Sequence, residues 1–323
     1  MEKGLGRKVR AMQFRDHAHD RRHFLRLAAG FSTGALLAGC GGGGGSSDAV
    51  PVVSAPVAVV PAPDPAGIAT HPLNLPLTLA YLSGQYHAYA ARGTGLPTVL
   101  TTGVGLAGST TGARQVSFAD PAIAALAADL ASDKTAHVTT LRAEMGTAAA
   151  AQPAINLSAG ATGAFSIAMQ RAGIVAPGQA FDPYADDEHF LLGALLIENA
   201  VAATYRTLLL AGSATAGNAT LTAQLADAIY HGGLIRALLD DRAAANPEID
   251  AMVGKIGAMQ AMLDGSNVGD QTLAGGSATS SNLLDAEGRP IPFTRATLQV
   301  LSALYVSNAG PGGFLPAGAN GVA

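Results

Sequence analysis

Four long runs rich in alanine and leucine, at about residues 74–92, 120–144, 186–210 and 218–245, hold much of the apolar content of this 323-residue chain. Runs of that length, with apolar residues at three- and four-residue intervals, predict helices. Leu75, Leu79, Leu82 and Tyr86 mark a stripe on the first. Asp120-Pro121 opens the second, with the aspartate placed as N-cap and the proline at the first helical position, and Gly146 closes it. The third begins on Asp186-Asp187-Glu188, charges favourable at a helix N-terminus, and the fourth stops before Pro247. Shorter helices are predicted at about 164–171, 250–263 and 295–306, and strand signals are weak throughout. Four long helices with a wide crossover between the second and third predict an all-α four-helix bundle with extra C-terminal helices.

Two of the runs carry an aspartate and a histidine four residues apart: Asp133 with His137, and Asp227 with His231. Residues at that spacing differ by about 40° around a helix axis, so each pair shares one face. A third run places Glu198 between them in sequence. Facing helices that present His and carboxylate side chains are how a bundle builds a metal site.

The N-terminus bears on location. Residues 1–39 join an arginine- and lysine-rich segment to a short apolar stretch, the organisation of an export signal. Arg21-Arg22, followed by Phe24-Leu25, resembles a twin-arginine signal, which implies passage through the twin-arginine translocase. Leu37-Ala38-Gly39-Cys40 resembles a lipobox, with Cys40, the single cysteine of the chain, as the lipidated residue. Residues 40–70, rich in glycine and then proline, read as a flexible tether. Residues 71–323 read as one helical domain. The expected product is an exported, membrane-anchored lipoprotein facing the periplasm or the cell exterior, held to the membrane by the lipid on Cys40.

Charge narrows the partners. Eight of the 19 basic residues and three of the 23 acidic ones precede Cys40, leaving 11 basic and 20 acidic, a net charge of −9. Nucleic acid is excluded as an expected partner, because no basic patch exists to neutralise phosphates.

Separated motifs carry a family resemblance. Phe181-Asp182-Pro183-Tyr184-Ala185-Asp186-Asp187-Glu188-His189-Phe190-Leu191-Leu192-Gly193, then Tyr230-His231-Gly232-Gly233-Leu234-Ile235-Arg236, then Gly312-Gly313-Phe314-Leu315-Pro316 occur in order. Together they resemble the ferritin-like family that includes the plant desiccation-related proteins, over about residues 74–321. The resemblance implies a ferritin-like bundle. In that superfamily a di-metal site takes one Glu from each of the first and third helices and a Glu-x-x-His pair from each of the second and fourth. Carried over by position, His137, Glu198 and His231 match, but Lys134 and Ala228 stand where the paired glutamates belong. The first helix reads Thr78-Leu79-Ala80-Tyr81-Leu82-Ser83-Gly84-Gln85, with no carboxylate.

A dinuclear centre needs bridging carboxylates to offset its charge, and Lys134 adds a cation. At about 4 Å and an effective dielectric near 20, each unit of metal charge would repel the ammonium by roughly 4 kcal/mol. An ordinary ferroxidase or di-iron oxidase is therefore not expected. Three readings stay open. In the first, Lys134 replaces the metal and pairs with Glu198, while His137 and His231 are ordinary core histidines. In the second, Asp133 and Asp227 join His137, His231 and Glu198 in a shifted site for a single iron, manganese or zinc ion. In the third, His87 is recruited from the first helix.

Other features have plainer expectations. The acidic cluster beside His189 is expected to cap its helix, and Tyr81, Tyr86, Tyr89, Tyr205 and Tyr230 to be core. Asp264-Gly265-Ser266-Asn267 with Asp270 lacks the twelfth-position glutamate of a calcium loop. The chain shows no nucleotide-binding glycine loop and no nucleophile elbow. The expected function is a non-catalytic envelope protein, with a stress or desiccation role implied by the resemblance. The alternatives are a metal-binding protein or oxidoreductase using His137, Glu198 and His231, and a partner-binding module that uses the long loops at 93–118 and 147–180.

Overall fold

Asp120 accepts a hydrogen bond from the Ala122 backbone N–H at 2.8 Å, and with Pro121 it starts helix α3, Pro121–Met145. This is the N-terminus the sequence predicts. The computed structural model describes residues 70–105, 107–212, 217–265 and 294–322. The predicted export signal, and the tether except for residue 70, lie outside them. Among the described residues no helix is long and apolar enough to cross a membrane.

The bundle consists of α1 (Asn74–Arg92), α3, α5 (Asp187–Leu210) and α6 (Asn218–Ala243). A single turn, α2 (Thr98–Thr101), and a shorter helix, α4 (Ala164–Arg171), lie in the connections. Helices α7 (Glu248–Asp264) and α8 (Thr297–Tyr305) follow the bundle. Within the bundle α1 packs most closely on α3 and α5 on α6, whereas α3 and α6 meet only sparsely. Lys134 on α3 meets Glu198 on α5 across the interior.

Helix α1 departs from the expected single stripe. Every residue from Asn74 to Ala88 is buried, because other segments close over its outer side. Tyr81 donates its O–H to the Ala150 carbonyl at 3.0 Å, Gln85 Nε2 donates to Gln152 Oε1 at 2.6 Å, and Asn74 Nδ2 donates to the Gly321 carbonyl at 2.9 Å. The crossover and the C-terminal tail thus act as a second layer. A parallel pair, β1 (Thr110–Thr111) with β2 (Ile155–Asn156), joins the first loop to the crossover. Weak strand signals are the natural consequence of two-residue strands.

The resembling motifs acquire structural reasons. Asp186 caps α5 by accepting from the His189 N–H at 2.9 Å, as the acidic cluster predicted. Gly193 lets α5 approach α1, since a Cβ there would lie 2.5 Å from the Tyr86 hydroxyl. Gly313 has φ +49°, and a Cβ would fall 2.6 Å from the Tyr305 carbonyl. The Phe314 it positions stacks edge-on against Phe165 and accepts from the Asn156 N–H at 3.0 Å. Of the five tyrosines expected in the core, Tyr81, Tyr86 and Tyr205 are fully buried and Tyr89 is partly exposed. Tyr230 is corrected: it is half-exposed, because it sits on the outer side of α6.

Candidate functional site

Glu198 sits at the middle of α5, 1 % exposed, and both of its oxygens are engaged. Oε2 accepts from Lys134 Nζ on α3 at 2.5 Å. Oε1 accepts from Ser83 Oγ on α1 at 2.6 Å and faces His87 Nε2, one turn further along α1, at 3.3 Å. Lys134 and His87 are as buried as the carboxylate they meet. Burial alone would raise the Glu198 pKa. The Lys134 ammonium, with His87, overrules it and holds the carboxyl well below the ordinary carboxylate range. Burial pushes His87 down, against the opposing pull of Glu198.

The two Asp-His turns meet across the seam between α3 and α6. His231 Nε2 lies 3.0 Å from Asp133 Oδ2, and His137 Nε2 lies 3.0 Å from Asp227 Oδ2. Each aspartate therefore serves the histidine of the opposite helix. The order of pairing, 133 with 231 and 137 with 227, shows that the helices run antiparallel here. The histidines are buried, while both aspartates are about half-exposed. Burial lowers the His137 pKa, with the Asp227 bond pulling the other way, and that bond lowers the pKa of Asp227.

Carboxylates accept only, so each of these two histidines donates Nε2–H to its aspartate and turns Nδ1 away from it. The Nδ1 atoms of His87, His137 and His231 are all buried without a hydrogen-bond partner. The Tyr205 hydroxyl, two turns beyond Glu198 on α5, is likewise unpartnered, and burial raises its pKa with Glu198 adding to the effect. The bundle centre thus combines one satisfied ion pair with several orphaned polar atoms.

The bundle residues proposed from sequence all have a place. Glu198, Lys134, His137 and His231 belong to one electrostatic neighbourhood, since Lys134 and Glu198 both act on His137, and Lys134 and His231 both act on Glu198. Asp133 and Asp227 stand at its rim, bound to ring nitrogens. His87 is brought to the centre. Ser83 was not singled out as a partner, although its spacing from His87, four residues on the same helix, was the available signal. Cys40, Arg21 and Arg22 lie outside the described residues.

The Ferritin-like domain family matches residues 69–241 of the chain. That span exceeds half of the chain, and the protein belongs to this family. No curated protein and no solved structure matches it.

The di-metal group of ferritin-like bundles does not fit these residues. Of its four expected glutamates only Glu198 is present; Ser83 and Lys134 bond its carboxylate, and a buried alanine, Ala228, stands at the sequence position of the fourth-helix glutamate. Both Glu198 oxygens are already bonded, one of them to a cation. Among the described residues no three His, Cys, Asp or Glu side chains are placed to hold a metal ion.

Proposed function

We propose that the chain is a lipid-anchored ferritin-like protein of the cell envelope whose bundle is centred on a lysine–glutamate ion pair in place of a metal cluster, and that it is not a catalyst. The observation that carries the reading is the 2.5 Å approach of Lys134 Nζ to Glu198 Oε2, with both side chains 1 % exposed. A buried carboxylate requires a counter-charge. In a metal-loaded relative the ions supply it, and here the ammonium does. A role in stress or desiccation rests on the family resemblance of the three motifs.

Export by the twin-arginine route through Arg21 and Arg22, and anchoring through a lipid on Cys40, place the protein on a membrane facing the periplasm or exterior. The domain is then presented to that compartment, where the long loops offer a surface for a protein partner.

A second reading, a metal-binding protein or oxidoreductase holding one iron, manganese or zinc ion at His137, Glu198 and His231, is favoured by one observation. Metal-ligating histidines ordinarily give their second ring nitrogen to a carboxylate, and both histidines do so here, leaving buried Nδ1 atoms without a hydrogen-bond partner. Elemental analysis of the native protein recovered from its membrane separates the two. The first reading expects no stoichiometric metal, including after incubation with iron, manganese or zinc. Stoichiometric metal that disappears in a His137→Ala/His231→Ala variant overturns it.

A further inference from the structure

Helix α3 carries four hydroxyl side chains, Ser132, Thr135, Thr139 and Thr140, and all four line one open pocket of about 600 Å³ between its outer side and the segment that follows α1. That volume falls in the range of small-molecule sites, about 300–1,000 Å³. Their spacing puts the four on one face. Threonine is a poor helix former, so three of them on the outer face of an alanine-rich helix do not serve helix stability. The three threonines already donate their protons: Thr135 to the Ala131 carbonyl at 2.6 Å, Thr139 to the Thr135 carbonyl at 2.9 Å and Thr140 to the Ala136 carbonyl at 2.9 Å. Their oxygens still accept, so this side of the pocket is an array of acceptors.

The other side brings a donor. Arg92, in the last turn of α1, lines the same pocket, is exposed, and has no hydrogen bond or ion pair among the described residues. Capping does not require it, because the Tyr89, Ala90 and Ala91 carbonyls at the end of α1 accept from the Gly93 N–H, the Val116 N–H and Gln115 Nε2. The wall beside it is fixed in advance. Leu96 N–H donates to Gln85 Oε1 at 3.1 Å, and a Cβ at Gly95 would collide with that same oxygen, so the segment is pressed onto α1. Pro97 and Ala136 add apolar surface, and none of the described residues lining the pocket carries a carboxylate. Asp133, next to Ser132 in sequence, is turned to His231 on α6.

We propose that this pocket binds a carboxylated sugar of the uronic acid class, with its carboxylate on the Arg92 guanidinium and its ring hydroxyls donating to Thr135, Thr139 and Thr140. The guanidinium fork matches a carboxylate with two parallel bonds. A ligand whose remaining polar groups are hydroxyl donors matches the acceptor array, and its ring C–H groups meet Pro97 and Ala136. One cation balances one negative charge, whereas a phosphate dianion would leave a charge over in a chain with 11 basic and 20 acidic residues after Cys40. The site lies on the outer side of α3 and is independent of the Lys134–Glu198 pair inside the bundle.

The test titrates the full chain by calorimetry with D-glucuronate, glucose, glucose 6-phosphate and acetate, as wild type, Arg92→Gln, Arg92→Lys and Thr139→Val. Glucuronate is expected to bind one per chain, about tenfold or more tighter than glucose or acetate, and tighter than glucose 6-phosphate. Arg92→Gln is expected to weaken glucuronate by about tenfold and to remove its advantage over glucose. Arg92→Lys, which keeps the charge and loses the fork, is expected to weaken it less. Thr139→Val is expected to weaken glucuronate and leave acetate unchanged. Both positions are exposed, so melting temperatures are expected to stay at the wild-type value. Absence of saturable glucuronate binding overturns the proposal, and so does equal affinity for glucose or unchanged binding in Arg92→Gln. Acetate that binds as tightly as glucuronate overturns it by reducing the site to an anion contact at Arg92, and a preference for glucose 6-phosphate overturns the match to a carboxylate.

Discussion

Asp133 on α3 binds His231 on α6 at 3.0 Å, although His137 stands one turn along its own helix. The i,i+4 spacing puts Asp133 and His137 on one face, but that face looks at α6, where the antiparallel register brings Asp227 and His231 into reciprocal positions. The seam between these two sparsely packed helices is thus bridged by two polar contacts. Each aspartate orients a histidine without being an interior group itself.

These bridges should be energetically coupled pairs, and the expected partners are the cross-helix ones. In double-mutant cycles, Asp133→Ala with His231→Ala, and Asp227→Ala with His137→Ala, are predicted to show coupling of about 1 kcal/mol each, modest because both carboxylates are half-exposed. The same-helix cycle, Asp133→Ala with His137→Ala, is predicted to show much less. Equal coupling in the two kinds of cycle, measured by urea unfolding, would refute the register described above.

Acid should weaken the bundle in two stages. His87 and His137 titrate below their ordinary value of 6.5 when folded, because burial disfavours their charged form. Below about pH 6.5 the unfolded chain takes up protons on these rings that the folded chain refuses, so stability falls as pH drops. Asp227 and Glu198 are depressed from ordinary values of 3.8 and 4.5, the first by its His137 bond and the second by Lys134 against the cost of burial. Their stabilisation is complete above those ordinary values and is lost as pH falls through the depressed folded ones. The urea midpoint is predicted to decline between pH 7 and pH 5 and to drop further below pH 4. A midpoint that stays flat from pH 7 to pH 5 contradicts the buried neutral state of the two histidines.

Much of this was legible in the sequence, for local reasons. Helix ends announce themselves through Asp120-Pro121, Asp186 and Gly146, whose side chains or conformations act within one turn. The pairing of Lys134 with Glu198, found in the structure, is one of three readings that the sequence leaves open, since a buried carboxylate needs a counter-charge and Lys134 stands at a ligand position. The cross-helix pairing of Asp133 and Asp227 was not legible, because it depends on the register of α3 against α6, which no single helix encodes. His87 was ambiguous for another reason. A helix buried on all sides has no polar face to fix its orientation, so nothing in α1 showed that His87 turns toward Glu198. Tyr230 errs the other way: as an aromatic on a helical apolar stripe it reads as core, yet it points about 100° away from the buried His231 that follows it.

Gly193 is predicted to be intolerant of a methyl group. A Cβ at this position would lie 2.5 Å from the Tyr86 hydroxyl, which donates to the Phe190 carbonyl at 3.0 Å. Gly193→Ala should cost about 1–3 kcal/mol through forced displacement of the ring, more than offsetting its gain in helix propensity. Removing the obstructing oxygen with Tyr86→Phe should recover part of that loss. If Gly193→Ala unfolds at the same urea concentration as wild type, the close approach of α1 and α5 is not what requires the glycine.

Anchoring through Cys40 predicts a change of fraction without a change of fold. Cys40→Ser is expected to move the protein from the membrane to the soluble fraction, to lower its mass by that of the lipid, and to leave its helical signal and melting temperature unchanged. Membrane retention at full strength in Cys40→Ser would show that another element holds the protein there.

The ion pair at the centre should behave as a unit. Lys134→Met leaves Glu198 as a buried anion without its main counter-charge, and removing one partner of a buried pair costs about 3–5 kcal/mol. Glu198→Leu strands the ammonium and also frees Ser83 and His87 from their shared acceptor. Replacing both partners by apolar residues of similar size removes the need for compensation, and such replacements are often close to neutral. Ser83 can then turn its hydroxyl to a carbonyl of its own helix. The double variant Lys134→Met/Glu198→Leu is therefore predicted to be more stable than either single variant in chelator-containing buffer, as read from urea midpoints. A double variant whose loss equals the sum of the single losses would mean that the two side chains contribute independently. The bundle would then owe its integrity at this point to packing around each one and not to the charge they share.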